Sequence, residues 1–181
     1  CERHIPASLA VEHIRPKTHN PMLELRWDNL LLACPNCNST KGHENIIVAD
    51  YALPHIDDTF DLFQYDSSAI VKPKLGLNPI DLDKTKKTIK LVGLGKSQPA
   101  INTKEWKIAS DRRFEHRLQT YLEAERFSLE YSKKSIAARA DMLPLLEIIV
   151  ISKGFWSIWM SAFSTFPEAT IRFRLAFVGT R

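Results

Sequence analysis

The chain is 181 residues long, 44% hydrophobic and 25% charged, with a formal net charge of +4. These proportions are typical of a soluble globular protein, and the length allows a small module followed by a helical domain. The longest apolar run, 142–152, is too short to cross a bilayer and is interrupted by Pro144 and Glu147, so we expect no membrane segment. The basic excess weakly favours a polyanionic partner, although a solvated charged surface accounts for it equally well.

The first forty residues are predicted to form short strands separated by a long loop. An apolar run at 9–14 has strand character and must end at Pro16, and a second run occupies 30–33. Pro35 suits the first turn of a short helix, which Gly42 can end in a left-handed conformation. The sequence therefore predicts the order strand, loop, strand, helix.

The remainder is predicted to be an irregular connector followed by helices. Turn residues punctuate the chain up to residue 80, with a possible hairpin between residues 60–65 and 69–71. Helical periodicity starts with Asp81 or Asp83 as the cap and continues in segments near 103–127, 135–152, 155–163 and 167–177, with a kink at Pro144. We therefore predict an α+β chain composed of a module at 1–50, a connector at 51–80 and a mostly α-helical domain at 81–181.

Two pairs of potential metal ligands flank the predicted strands. Cys1 and His4 form a C-x2-H pair, and Cys34 and Cys37 form a C-x2-C pair. Zinc prefers four such ligands in a tetrahedron, and this spacing lets two side chains of one turn reach the same ion. The pattern favours a closed, structural Cys3His site over one disulfide with a spare thiol. Alternatively, the C-x2-C cysteines are small buried residues and the histidine is a surface residue. A first residue other than methionine also indicates a fragment.

Four further polar residues have the chemistry of a second site. Glu12 and His13 are adjacent on the first predicted strand, so their side chains should point to opposite faces. A carboxylate suits a hard cation, and an imidazole suits proton transfer near neutral pH. Asn38 can reach the same cation from the short helix, and Asn29 can bond a backbone or imidazole group of the first strand. Taken singly, Glu12 and His13 would be interpreted as a salt-bridged pair and Asn29 as a turn residue.

Three segments of this stretch resemble the three parts of an HNH endonuclease. They read VEHIRPK at 11–17, WDNLL at 27–31 and CPNCNSTKG at 34–42. The family has a ββα-metal fold, often braced by a zinc ion held between two cysteine knuckles. The chain departs from the common pattern in two places, because it has Asn38 where many members have histidine and C-x2-H in place of the first C-x2-C. The resemblance therefore implies an N-terminal zinc-braced ββα-metal module.

The resemblance also implies a role for each matching residue. His13 would activate the attacking water, and Asn29 would hold the loop and orient His13. Glu12 and Asn38 would bind one Mg²⁺ or Mn²⁺, for which an amide oxygen is a suitable hard ligand. The zinc ion would be held by Cys1, His4, Cys34 and Cys37. Arg15 or Lys41 could contact a flanking phosphate, although an ordinary surface cation is the more frequent role for either residue.

A looser resemblance extends to the rest of the chain. Residues 53–58, 87–94 and 173–180 are similar to HNH proteins of bacterial anti-phage systems of the Septu and retron-associated type. This implies a cytoplasmic bacterial nuclease that acts on DNA, with RNA not excluded, and that works with an ATPase subunit. The alternative from a different functional class is a zinc-braced nucleic-acid-binding or scaffold module without catalysis of its own.

Two features of the helical region have competing interpretations. Trp156, Trp159, Met160 and Phe163 recur at helical spacing and most simply form core, with a partner-docking patch as the alternative. The second concerns arginines on one long predicted helix, which could steer a duplex. Their acidic neighbours favour a mixed solvated face instead. These arginines are Arg112, Arg113, Arg117 and Arg126.

Overall fold

The computed structural model describes residues 1–5, 9–97 and 111–177. The chain divides into two compact units. The first unit comprises Cys1, Ile5–Gln64 and Val71–Lys96, and the second comprises Glu2–His4, Tyr65–Ile70 and Ser97–Arg181. Seven α-helices and two small sheets lie in the described residues, which fits the predicted α+β class. Within those ranges, no helix has both the length and the hydropathy that a membrane crossing requires.

The first unit begins with the predicted strand–loop–strand–helix arrangement. Strand β1 (Ala10–His13) pairs antiparallel with β2 (Leu30–Ala33), and helix α1 (Pro35–Lys41) follows directly. Cys34 caps α1, since its Sγ accepts a hydrogen bond from the Cys37 backbone N–H at 3.3 Å. Gly42 ends the helix with a φ of 55°, a conformation that glycine adopts without steric strain.

The long connection between β1 and β2 is an ordered segment with short 3-10 turns at Pro21–Leu23 and Trp27–Asn29. Beyond α1, the first unit continues through a further 3-10 turn (Val48–Asp50) and helix α2 (Thr59–Leu62). Strands β3 (Phe63–Tyr65) and β4 (Val71–Pro73) pair, and helix α3 runs over Pro79–Leu91. Ile14, Ile46 and Leu53 form a small core, which packs the residue after β1 against the segment that follows α1.

The second unit is helical. Its helices are α4 (Arg113–Ser132), α5 (Ile136–Lys153), α6 (Trp156–Ala162) and α7 (Pro167–Ala176). An aromatic core lies between them, in which the ring centroids of Phe163 and Phe173 are 5.3 Å apart. Trp156, Trp159, Met160 and Phe163 are all at most 4% exposed. The core interpretation of this set is therefore confirmed, and these side chains are not available as a docking patch.

Several expectations about local structure need correction. Helix α3 starts at Pro79 and is capped by Asn78, whose Oδ1 accepts from Ile80 and Asp81, so Asp81 is not the cap. The connector is not wholly irregular, because α2, β3 and β4 lie in it. The pairing of β3 with β4 confirms the predicted hairpin, with its second strand at Val71–Pro73. Arg113 and Arg117 are buried and do not form a solvated face. The predicted start of a helix near residue 103 lies outside the described residues.

Candidate functional site

Three cysteines form a compact cluster where β2 meets α1. The Sγ atoms of Cys1, Cys34 and Cys37 all lie within 4.8 Å of one another, and the first two are 3.5 Å apart. Cys34 and Cys37 are buried, and all three thiols are free of disulfides. In zinc sites each thiolate sulfur lies about 2.3 Å from the ion, so the sulfurs that share an ion are also close to one another. The cluster could therefore hold a metal ion.

His4 is not part of the group of ligand atoms that the structure brings together. It is exposed and belongs to the second unit, next to residues that pair with the start of α6. The predicted Cys3His set is thus present as three gathered cysteines, with the fourth ligand still a prediction.

The pairing of β1 with β2 places Glu12 and His13 on opposite faces of the hairpin. Glu12 is opposite Leu31 and His13 is opposite Leu30 in the register. Because side chains alternate along a strand, Glu12 faces α1 while His13 faces away from it. The two adjacent residues therefore present their side chains to different environments, as the sequence predicted.

The ring of His13 is held by the long connection between the strands. Its Nε2 lies 2.9 Å from the backbone carbonyl oxygen of Glu24. A carbonyl can only accept, so this contact requires that Nε2 carries the proton and leaves Nδ1 with a lone pair. Among the described residues no other group bonds the ring. The Glu24 side chain pairs with Lys17 at 2.7 Å, and this hydrogen bond lowers the pKa of the Glu24 carboxyl.

Asn29 closes the connection against the end of the first strand. Its Oδ1 accepts from the backbone N–H of Arg15 at 2.9 Å, and its Nδ2 donates to the carbonyl oxygens of Arg15 and Leu23 at 3.0 and 3.1 Å. The residue is 5% exposed, so these bonds satisfy buried backbone groups. Asn29 does not touch the imidazole; it fixes the loop whose Glu24 carbonyl holds His13.

The position of Lys41 differs from the expected one. It is buried, and its Nζ lies 2.6 Å from Glu12 Oε1 and donates to the His13 carbonyl oxygen at 2.9 Å. The expected surface position is therefore wrong. The lysine joins the end of α1 to both polar residues of β1 and compensates the Glu12 charge, which would otherwise be buried alone.

Asn38 lies on the same side of α1 as Lys41, because residues three apart are neighbours on a helix surface. It is half-buried, and within the described ranges its side-chain amide makes no hydrogen bond. The same holds for Glu12 Oε2, the carboxylate oxygen that Lys41 leaves free. A carboxylate oxygen and an amide oxygen are hard ligands of the kind that Mg²⁺ or Mn²⁺ prefers.

Arg15 is exposed one residue after the core position Ile14. Its backbone is fixed by Asn29, whereas its guanidinium extends into solvent near the His13 end of the strand. Sequence reasoning identified Arg15 but missed two contributions, the Glu24 carbonyl and the Lys41 bridge. The first is a backbone atom and carries no sequence signal. The second had one possible signal, since Lys41 is three positions from Asn38 and shares its helix face.

The N-terminal region is the part of the chain that is similar to a known protein family. Residues 1–44 of the 181 match the family model of the HNH endonuclease. The matched segment contains β1, β2, α1 and the three cysteines. No curated protein and no solved structure matches the chain. The match supports an HNH domain at residues 1–44 and suggests a metal-dependent, nuclease-type function for it.

Proposed function

We propose that this chain is a metal-dependent HNH endonuclease that hydrolyses phosphodiester bonds in DNA. The observation that carries the proposal is the hydrogen bond between His13 Nε2 and the Glu24 carbonyl, which holds the ring and leaves the Nδ1 lone pair as the proton acceptor. Glu12 and Asn38 supply two uncommitted oxygen ligands from β1 and α1. The family match over residues 1–44 supports the same reaction class.

In the proposed reaction His13 is the general base. Its Nδ1 accepts a proton from water, and the water oxygen bonds to phosphorus. The bond between phosphorus and the leaving oxygen breaks, and the leaving oxygen keeps the electron pair and takes a proton from solvent water. Asn29 contributes indirectly, because it holds the loop that carries the Glu24 carbonyl. That carbonyl also stabilises the imidazolium that forms, since it accepts a hydrogen bond from the charged ring.

A divalent cation bound to Glu12 Oε2 and Asn38 would supply positive charge for the scissile phosphate. Lys41 fixes the Glu12 carboxylate through Oε1, so the remaining oxygen has a defined direction before any cation binds. Arg15 is exposed and two residues beyond His13 in the chain, and it is the side chain proposed to contact a phosphate next to the scissile one.

The structural zinc belongs to a separate part of the proposal. Cys1, Cys34 and Cys37 would hold the ion, and His4 is the fourth ligand that the proposal adds. Their role is to fix the start of α1 against the end of β2, which sets the position of Asn38 relative to Glu12.

The test is cleavage of supercoiled plasmid and of labelled oligonucleotides with Mg²⁺ or Mn²⁺. His13→Ala should reduce the rate about 10²- to 10⁴-fold, the usual contribution of a general base. The matched control is His55→Ala, which removes an exposed imidazole outside the site and should cut at the normal rate. Equal rates in the His13 variant and the intact chain would contradict the assignment.

One observation favours a non-catalytic alternative. The 2.6 Å contact with Lys41 already compensates the Glu12 charge, which weakens that carboxylate as a cation ligand. A zinc-braced nucleic-acid-binding or scaffold module would need only a buried, compensated Glu12 and no cation beside it. Oligonucleotide binding without cleavage, in both Mg²⁺ and Mn²⁺, would support the alternative.

The looser resemblance of residues 53–58, 87–94 and 173–180 supports extending the proposal to anti-phage defence in the bacterial cytoplasm, with an ATPase subunit as partner. Co-expression with a candidate ATPase encoded beside this chain provides the test. Cleavage that starts only when the ATPase and ATP are added would support partner control. Cleavage by the isolated chain at the same rate would contradict it.

A further inference from the structure

The loop that holds His13 exposes three large apolar side chains. Met22, Leu25 and Trp27 are 89%, 91% and 89% exposed. Leu23, between them, turns inward and is half-buried. We call Met22, Leu25 and Trp27 the apolar rim. Single exposed apolar residues are ordinary, but three within six positions beside a candidate catalytic residue require a reason.

The backbone under the rim is well ordered. The Leu23 N–H donates to the Asn20 carbonyl at 2.9 Å, the Arg26 N–H to the Leu23 carbonyl at 3.2 Å, and the Asn29 N–H to the Arg26 carbonyl at 2.9 Å. The buried Asn29 side chain adds a bond to the Leu23 carbonyl. These bonds fix the loop in a conformation that holds the rim side chains in solvent, so their exposure is built into the fold.

The rim is next to the proposed general base. Leu25 directly follows Glu24, whose carbonyl contacts His13 Nε2. Trp27 is three residues beyond Glu24, so the two Cα atoms are at most about 11 Å apart. Consecutive nucleotides of a strand rise by about 3.4 Å, so a strand with its phosphate at His13 brings the next few nucleotides to the rim.

The charges around the rim do not favour recognition through phosphates. Lys17 pairs with Glu24 at 2.7 Å and Arg26 pairs with Asp28 at 2.8 Å, so the two lysine and arginine side chains nearest the rim are matched by carboxylates, and Arg15 lies at the far end of the loop in sequence. What the loop offers in excess is apolar and aromatic surface. The faces of unpaired bases fit such a surface, and base–aromatic stacking is a common means of single-strand binding. A fully paired duplex keeps those faces stacked inside the helix.

We infer that the apolar rim is a base-stacking surface and that the preferred substrate is single-stranded or locally unpaired nucleic acid. The inference rests on the proposed nuclease function for the position of the strand, and on the exposure of the rim and the paired charges beside it for its chemistry. Trp27 provides the main stacking surface, while Met22 and Leu25 cover the neighbouring base.

The test measures binding without cleavage, in buffer with Ca²⁺ in place of Mg²⁺ or Mn²⁺. Dye-labelled single strands, matched duplexes and duplexes with an unpaired bulge are titrated by fluorescence anisotropy. Trp27→Ala should weaken single-strand and bulge binding about 5- to 150-fold, the range expected for one lost stacking contact, and leave matched-duplex binding unchanged. Trp27→Phe should retain most of the affinity. The matched control is Leu75→Ala, which removes an 88% exposed apolar side chain elsewhere in the first unit.

Tryptophan emission gives a second readout. The measurement is made in a Trp106→Phe background, which leaves three tryptophans. Trp156 and Trp159 are buried, so Trp27 should account for the quenching that a thymine oligonucleotide produces, and Trp27→Phe should remove that quenching. Unchanged single-strand affinity in Trp27→Ala overturns the inference. So does an equal loss on single strands and duplexes, or a change of oligomeric state showing that a second copy covers the rim.

The outcomes separate this inference from the proposed function. Cleavage that depends on His13 but not on Trp27 overturns the rim alone. Selective loss of single-strand binding in Trp27→Ala, in a chain that cuts no substrate, supports the rim and contradicts the nuclease. A chain that binds none of the oligonucleotides overturns both.

Discussion

Lys41 bonds both polar residues of β1 at once, through the Glu12 carboxylate and the His13 carbonyl. Both side chains of the ion pair are almost fully buried, with exposures of 5% and 10%. In such a place each charge depends on the other, because removing one leaves an uncompensated charge with little access to water. The ion pair therefore positions the proposed catalytic strand and also limits which substitutions it tolerates.

Replacing Lys41 by methionine should lower the free energy of unfolding of the first unit by about 3–5 kcal/mol, the usual effect of breaking a buried ion pair. The matched control is Lys17→Met. It breaks an ion pair of similar length whose partners are 55% and 46% exposed, and surface pairs contribute at most about 1 kcal/mol. Urea denaturation followed by circular dichroism measures both.

A second variant tests whether the charge of Glu12 is the cause. The double substitution Lys41→Met with Glu12→Leu removes both charges and should recover part of the lost stability, because no unpaired charge remains. Equal losses in the Lys41 and Lys17 variants would contradict the buried pair. Mn²⁺ binding separates the two proposed effects of Lys41. Lys41→Met should weaken Mn²⁺ binding if the lysine fixes the direction of Glu12 Oε2, whereas stronger binding would show that its charge competes with the cation.

At the scale of single residues, the sequence predicted side chains well where a local pattern carries their role. Adjacent strand positions of Glu12 and His13 were enough to predict opposite faces, and the structure confirms this. The environment of each side chain was not predictable in the same way. Lysine is usually a surface residue, and nothing in the local sequence marks Lys41 as buried. It is buried beside Glu12 because α1 packs against β1, and Lys41 bonds a residue 28 positions away in the chain.

The start of α1 depends on the cysteine cluster. Cys34 serves both as the cap of the helix and as one of three sulfurs that lie within 4.8 Å of one another. Three thiolates so close together would repel one another without a cation, so a bound metal would stabilise this junction strongly. The position of Asn38, one turn into the helix, follows from the same junction.

Purified protein should contain about one zinc per chain, since apparent binding energies of structural zinc sites are large enough to drive folding. Cys34→Ser should abolish the bound zinc and lower the melting temperature of the first unit. His4→Ala distinguishes the fourth ligand, because it should weaken zinc retention against a chelator if His4 coordinates. His43→Ala is the control, as His43 is exposed and outside the cluster. Elemental analysis gives the stoichiometry, and a well-folded protein without metal would contradict the site.

Elements were predictable where start and stop signals agree with an apolar pattern. Pro35 and Gly42 bound α1 as expected, and Ser135 caps α5. Helix α5 also continues through Pro144, which lies on its exposed side, where water can bond the carbonyl that the proline ring leaves without a donor. The four-residue helix α2 was missed because a single turn carries almost no periodic signal.

At the scale of the whole molecule, the chain order does not match the order of the compact units. Glu2–His4 belongs to the helical second unit, although Cys1 and Ile5 belong to the first. Arg3 pairs with Gly154 in an isolated bridge, and the Phe155 N–H donates to the Glu2 carbonyl at 2.6 Å. Gly154 is required there, because a Cβ would lie 2.4 Å from the His4 nitrogen. A sequence pattern cannot predict this pairing, since about 150 residues separate the partners and neither segment is a regular strand.

Glu2 makes the stability of the second unit depend on pH. Its carboxylate accepts hydrogen bonds from the Ser157 N–H at 2.8 Å and the Ser157 hydroxyl at 2.5 Å. Burial raises the pKa of the Glu2 carboxyl above its ordinary value of 4.5, and the bonds from Ser157 oppose the rise only in part. Between the ordinary and the raised pKa, the folded state binds more protons than the unfolded state. The contribution of Glu2 to stability is therefore greatest below pH 4.5 and is lost as pH rises through the raised value.

Glu2→Gln should remove this pH dependence, because the amide stays neutral and its oxygen can still accept from the Ser157 N–H. Urea denaturation from pH 4 to pH 8 should show a decline in the intact second unit and a flatter profile in the variant. A background with Trp27→Phe and Trp106→Phe suits the measurement, since the remaining Trp156 and Trp159 are buried in the second unit. Asp141→Asn removes an exposed carboxylate of the same unit and should keep the original slope. If Glu2→Gln keeps that slope too, the decline has another source, and the buried carboxylate merely caps α6.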